Sequence, residues 1–102
     1  MSAHLCLASR MIIGHQPLPV RFFYREQPAH ENDSGFRFYS GLETDEYLAE
    51  QQSACVAPLS LLSKLQPEIA ELIHCSEVGS VWEFCALSSS WRPVYDYQIP
   101  VN

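Results

Sequence analysis

The stretch Asn32-Asp33-Ser34-Gly35-Phe36-Arg37-Phe38-Tyr39-Ser40-Gly41-Leu42-Glu43-Thr44-Asp45-Glu46-Tyr47-Leu48 defines the best-organised part of this chain. Its first four residues favour a chain reversal, because Asn, Asp and Ser side chains bond nearby backbone and glycine adopts positive φ. The next four alternate at period two, which predicts a strand with Phe36 and Phe38 on one face and Arg37 and Tyr39 on the other.

An acidic helix start follows this strand. Ser40 and Gly41 end the strand, and either Ser40 or Thr44 can cap the helix. Acidic side chains in a first turn interact favourably with the positive end of the helix dipole. The acidic residues there are Glu43, Asp45 and Glu46.

Length and composition predict a single folded domain over residues 1–102. The 102 residues are 47% hydrophobic and 18% charged, which is ordinary for a globular protein. The sequence contains no apolar run near the ~20 residues that span a bilayer and no secretory signal pattern at its start, so we expect a cytoplasmic protein. Four cysteines, with no Cys-x-x-Cys spacing, predict reduced thiols rather than a zinc or redox site.

The net charge of −6 is concentrated in the segment from Glu26 to Glu50, which holds seven acidic residues and one basic residue. A negative surface repels nucleic acid and anionic membranes, and it steers a basic protein partner. The alternative is that the acidic residues only keep a small domain soluble.

Periodicity elsewhere predicts more strands and a helical insert. A second strand, Val20 to Glu26, would share the core face through Val20, Phe22 and Tyr24, which places Arg21, Arg25 and Arg37 together on the opposite face. Leucine and isoleucine at helical spacing predict helices from Pro58 to His74, with Leu59, Leu62, Leu65, Ile69, Leu72 and Ile73 facing inward. Two extended pieces, 81–87 and 91–97, follow. The predicted fold is α+β: an antiparallel sheet covered on one face by short helices.

The sequence contains no catalytic motif that we can assign. The acidic residues Asp33, Glu43, Asp45 and Glu46 offer oxygen ligands for a divalent cation, so a small enzyme or metal-binding domain is the alternative function. Their spacing matches no calcium loop, the histidines form no ligand pair, and neither a nucleophile elbow nor a phosphate-binding glycine loop is present. We therefore expect no enzyme activity, no metal and no cofactor.

Several ordered motifs resemble a family of small bacterial proteins. They are Ala8-Ser9-Arg10, Tyr24-Arg25-Glu26, Asn32-Asp33-Ser34-Gly35, Arg37-Phe38, Ser40-Gly41, Glu43, Glu46-Tyr47-Leu48 and Val78-Gly79-Ser80. The family was long catalogued as a domain of unknown function and is now grouped with the immunity proteins of polymorphic toxin systems. The resemblance covers about residues 5–85, and residues 88–102 form a C-terminal strand or tail outside it.

The resemblance implies a cytoplasmic protein that neutralises a cognate bacterial toxin by binding it, or a relative of such proteins with no assigned partner. We predict that the partner surface combines the turn at 32–35 with the acidic segment, through Asp33, Ser34, Glu43, Asp45, Glu46, Tyr47 and Glu50. The face carrying three arginines is the alternative surface. The chain also departs from the family pattern, with Phe36 at a usual tryptophan, Leu42 at a usual acid and Met11 at a usual lysine. An exposed Leu42 would alter partner choice, or the side chain packs down.

Overall fold

One six-stranded sheet organises the computed structural model, which describes residues 4–50 and 52–100. The strands are β1 (Leu5–Ser9), β2 (Phe22–Arg25), β3 (Asp33–Tyr39), β4 (Ala54–Pro58), β5 (Val81–Cys85) and β6 (Ser90–Pro93). Their order across the sheet is β4-β1-β3-β2-β5-β6. Residues 1–3, 51 and 101–102, which belong to the predicted domain, lie outside the described residues.

The sheet is mixed, so the prediction of a purely antiparallel sheet is wrong. β1 runs parallel to β3, while the other four neighbouring pairs are antiparallel. The alternation of apolar residues assigns a strand's two faces but says nothing about the direction of its neighbour. The α+β content, in a single domain with a few short helices, is as predicted.

The helical segments follow β3 and β4. They are α1 (Asp45–Leu48), α2 (Leu59–Leu65), a 3-10 turn (Pro67–Ile69) and α3 (Ala70–Cys75). Leu62, Ile69 and Ile73 are buried against the sheet, as their spacing predicted. Leu65 is 53% exposed, which contradicts its predicted inward position. The chain enters α2 directly from β4, a strand that the sequence analysis did not predict.

The covered face of the sheet, which packs against α2 and α3, carries Phe23, Phe36 and Phe38. Phe23 lies opposite Phe38 in the β2–β3 register, and their ring centroids are 5.2 Å apart. Phe22 and Tyr24 therefore point to the second face. The predicted core face of β2 was wrong by one residue, because three successive aromatic residues make either face apolar.

The three arginines predicted on one face are separated. The Arg25 guanidinium lies 4.9 Å from the centroid of the Phe36 ring and donates to the carbonyl oxygens of Ser34 (2.9 Å) and Ser76 (2.7 Å). Arg37 extends from the second face, because adjacent strand positions point to opposite sides. Arg25 thus ties β2 to the start of β3 and to the end of α3.

All four cysteines are free thiols: Cys6, Cys55, Cys75 and Cys85. Burial raises the pKa of the Cys6 thiol to about 12, whereas hydrogen bonds with Ser88 lower the pKa of Cys85. The thiolate is the reactive form of cysteine. Because Cys6 is buried and its pKa is raised, its thiol should react slowly.

With Ellman's reagent at pH 8, we expect exposed Cys75 to react quickly in the native protein and Cys6 to react only as the protein unfolds. Unfolding in denaturant without reductant should release four thiols per chain. The Cys6→Ala variant is the control and should lack the slow phase alone. Equal rates for all four native thiols would contradict this assignment.

Candidate functional site

The buried side chains at the start of β3 form an ion-pair network. Both Asp33 carboxylate oxygens accept hydrogen bonds from Arg37, at 2.9 and 2.7 Å, and Arg37 Nε donates to Glu26 at 2.6 Å. Asp33 also accepts from the backbone N–H groups of Ala29 and Gly35. Hydrogen bonds from Arg37 hold the pKa of Asp33 far below its usual range, so the carboxylate is ionised. The Asp33 carboxylate therefore forms its hydrogen bonds within the protein and stabilises the fold.

Ser34 and Gly35 lie in β3, which already begins at Asp33, so the chain reversal predicted over residues 32–35 occurs earlier, at residues 31–32. Ser34 is 1% exposed, and its hydroxyl accepts a hydrogen bond from the N–H of Phe36. Gly35 has φ of +89°, and its carbonyl accepts from the N–H of Glu26. The predicted partner residues Asp33 and Ser34 therefore lie inside the protein rather than on its surface.

Glu43 closes the turn after β3. Its carboxylate accepts from the N–H and the hydroxyl of Ser40, at 2.9 and 2.8 Å, and from the N–H of Gly41 at 3.0 Å. Burial favours the protonated form, but hydrogen bonds from Ser9 and Ser40 outweigh it and lower the pKa of Glu43. This carboxylate is half-buried and its hydrogen bonds are within the protein, so it stabilises the turn between β3 and α1.

The acidic face of α1 points to solvent. Thr44 caps this helix by accepting from the N–H of Tyr47 at 3.1 Å, so of the two capping residues that the sequence offered it is Thr44 rather than Ser40. Asp45, Glu46 and Glu50 are exposed, and Tyr47 is partly buried. These three carboxylates therefore remain available to a partner.

A groove of about 850 Å³ lies beside this acidic face. Leu42 and Leu48, which are 66% and 44% exposed, line it from the segment that includes α1. Arg21, the residue before β2, and Glu83, in β5, line it from the sheet. Its volume falls within the ~300–1,000 Å³ typical of ligand pockets, and it adjoins the charged helix directly.

Aromatic rings from the second face of the sheet form the floor of the groove. Tyr24 and Tyr39 stack at 5.9 Å, and their hydroxyl oxygens are 3.3 Å apart. Phe22 lies opposite Tyr39 in the register, with ring centroids 6.2 Å apart. Tyr97 approaches both β2 rings from the C-terminal segment. The groove thus offers a largely apolar, aromatic surface bordered by carboxylates.

The charges that line the groove differ in their availability. Glu83 pairs with Arg92 at 2.7 Å, while Glu43 is bonded to Ser40 and Gly41. Arg21 stacks its guanidinium 4.2 Å from the centroid of the Phe84 ring, and no ion pair joins it to a carboxylate among the described residues. The groove therefore holds internally bonded carboxylates, whereas the exposed ones lie on α1 and, at Glu50, just after it.

The four acids weighed as metal ligands do not assemble. Asp33 is bound to Arg37, and Glu43 is bound to Ser40 and Gly41. Within residues 4–50 and 52–100, no three His, Cys, Asp or Glu side chains are placed to hold a metal ion. The four acids that the metal-binding alternative requires therefore do not form a set of ligands.

Sequence reasoning found the acidic helix but missed the groove beside it. Leu42 carried a signal, because an apolar residue in an acidic turn departed from the family pattern. Phe22 and Tyr24 were assigned to the core, and nothing in the sequence brought Tyr97 to them. Across the described part of the chain, no helix is both long and apolar enough to cross a membrane.

Comparison with known protein families gives a match that covers most of the chain. Residues 6–95 match the family described as the Immunity protein Imm33 domain. The chain belongs to this family of immunity proteins, which confirms the resemblance noted in the sequence. No curated protein and no solved structure matches the chain.

Proposed function

We propose that this chain is a cytoplasmic immunity protein that neutralises a cognate bacterial toxin by binding it, without catalysis or a cofactor. Immunity proteins protect a cell by occupying a toxin, and the family match supports that role. The observation that carries the proposal is the exposed acidic face of α1 beside the aromatic groove. Buried anchors surrounded by charge are common at protein interfaces.

The binding surface comprises the groove and three exposed acids, which are Asp45 and Glu46 on α1 and Glu50 just after it. Leu42 and Leu48 present apolar side chains between the acids and the aromatic floor. A basic toxin surface would meet the carboxylates while an apolar side chain enters the groove. Such charge complementarity mainly accelerates association.

The Asp45→Lys, Glu46→Lys, Glu50→Lys triple variant should keep its fold and bind the cognate toxin at least ~2 kcal/mol more weakly. These side chains are exposed, so the effect on the free energy of unfolding should be small. Surface plasmon resonance should also show that wild-type association slows as salt rises, because salt screens exposed charges.

A matched control separates this local effect from net charge. The Glu31→Lys, Glu71→Lys, Glu77→Lys variant changes the net charge equally, and all three side chains are exposed outside α1. It should retain most of the affinity of the wild type. Equal affinity of wild type and the α1 variant would place the toxin surface elsewhere. Absence of toxin binding to the wild-type protein would overturn the proposed function itself.

A further inference from the structure

The C-terminal segment 95–100 lies on the rings that form the floor of the groove. The Tyr97 ring meets Phe22 edge-to-face at 5.0 Å between centroids and lies 5.7 Å from Tyr24. Pro100 lines the same groove. The segment therefore places an aromatic side chain in the part of the groove that an external ligand would contact.

This segment is attached weakly compared with the strands beneath it. Among the described residues, the last backbone hydrogen bond toward the C-terminus joins the N–H of Val94 to the carbonyl of Val81, at 2.8 Å. Residues 95–100 form no helix or strand, and Tyr97 remains 40% exposed. Segments with few backbone bonds and little burial open most readily. Tyr97 can thus leave without disrupting the sheet.

Tyr97 also lies beyond the part of the chain that defines the family. The family match ends at residue 95, whereas the Phe22 and Tyr24 rings lie within it. The groove floor is therefore built from the family domain, and the ring that fills part of it comes from outside. Tyr97 therefore adds to a surface that the family domain itself provides.

We propose that segment 95–100 is a displaceable cover of the groove, and that Tyr97 occupies the subsite that an aromatic side chain of the toxin takes. The identity of the partner rests on the proposed function, while the cover rests on the ring geometry. An edge-to-face contact with Phe22 depends on the ring quadrupole, so this subsite favours an aromatic ring over an aliphatic chain. Aromatic anchors are also enriched at protein interfaces.

The subsite is tested with p-cresol, which is the tyrosine side chain without its backbone. Titrations of ¹⁵N-labelled wild type, Tyr97→Ala and Tyr95→Ala are followed by NMR. Tyr95 is the matched control, because it lies two residues away and is 91% exposed. We expect p-cresol to bind Tyr97→Ala at least tenfold more tightly than wild type, with shifts centred on Phe22 and Tyr24. Tyr95→Ala should match wild type, and 4-methylcyclohexanol should bind Tyr97→Ala more weakly than p-cresol does.

Three results would overturn this proposal. Equal p-cresol affinities of wild type and Tyr97→Ala would show that Tyr97 does not block the subsite. Tighter binding of 4-methylcyclohexanol than of p-cresol would remove the aromatic preference. Loss of the folded spectrum in both Tyr97→Ala and Tyr97→Leu would show that the segment is part of the core rather than a cover.

Binding of the toxin then distinguishes the cover from the proposed function. We expect Tyr97→Ala to bind the toxin more tightly than wild type does, since no internal ring must be displaced. Weaker toxin binding by Tyr97→Ala would overturn the cover and leave the proposed function intact. No toxin binding by any variant, with the p-cresol result intact, would overturn the proposed function and leave the cover.

Discussion

Gly35→Ala should destabilise the protein by more than ~3 kcal/mol, the first of the two largest effects that we expect. A Cβ atom at position 35 would lie 2.1 Å from the carbonyl oxygen of Glu26. That oxygen belongs to the backbone, so the chain itself must shift. The φ of +89° adds the cost of a left-handed conformation for an L residue. Urea unfolding followed by tryptophan fluorescence measures the loss.

Gly79→Ala provides the matched control for Gly35→Ala. Gly79 has φ of +100°, but an added Cβ would meet nothing within 4 Å. It should therefore cost only the ~1–2 kcal/mol of backbone strain. Equal losses in the two variants would show that the contact with Glu26 relaxes freely. A larger loss at Gly35 would show why the first half of β3 requires glycine at this position.

The local features of the stretch 32–48 could be predicted from sequence. The Thr44 cap, the acidic first turn of α1 and the burial of Phe36 and Phe38 all match the structure. Each depends on residues within a few positions of one another, where propensity and capping rules apply directly. The motif that carries the family resemblance largely encodes this local structure, through Asp33, Gly35 and Glu43.

Features that depend on distant parts of the chain were not predicted. The direction of β1 beside β3 leaves no trace in the alternation of either strand. β2 contains three successive aromatic residues, Phe22, Phe23 and Tyr24, so the pattern could not choose its core face. β4 was missed because its short sequence is not strongly alternating and ends at Pro58, which also suits the start of a helix.

The same distinction between local and long-range features applies to the candidate site. The exposed acidic cluster could be predicted by counting charges along the sequence, and it comprises Asp45, Glu46 and Glu50. The groove forms only because strands β2, β3 and β5 lie side by side. Tyr97 reaches that groove only because β6 returns the chain to β5. Composition therefore predicts the charge of the surface, and topology decides which apolar side chains adjoin it.

Arg37→Met should cost about 3–5 kcal/mol of stability, because it leaves two carboxylates buried without their cation. The side chains of Arg37 and Asp33 are 5% and 6% exposed, and that of Glu26 is 18% exposed. The control is Arg92→Met, which removes an exposed ion pair with Glu83 and should cost less than ~1 kcal/mol. Urea unfolding at pH 7 measures both variants.

The same network predicts how acid affects stability. The folded-state pKa of Asp33 lies below its unfolded value near ~3.9, so its contribution is present above that pH and is lost as pH falls toward the folded pKa. Wild type should therefore lose stability as pH falls below about 4. In Arg37→Met the depressing cation is gone, so this acid-dependent loss should shrink.

A double-mutant cycle tests whether Asp33 and Arg37 act as a pair. Asp33→Asn alone should also be strongly destabilising, since it leaves the Arg37 guanidinium buried with only Glu26 as a carboxylate partner. The double variant Asp33→Asn, Arg37→Met removes both buried charges, so its loss should be smaller than the sum of the single losses by at least ~1.5 kcal/mol. Additive losses would contradict the pairing. They would mean that Arg37 stabilises the start of β3 through packing and its bond to the Phe36 carbonyl, rather than through the Asp33 carboxylate.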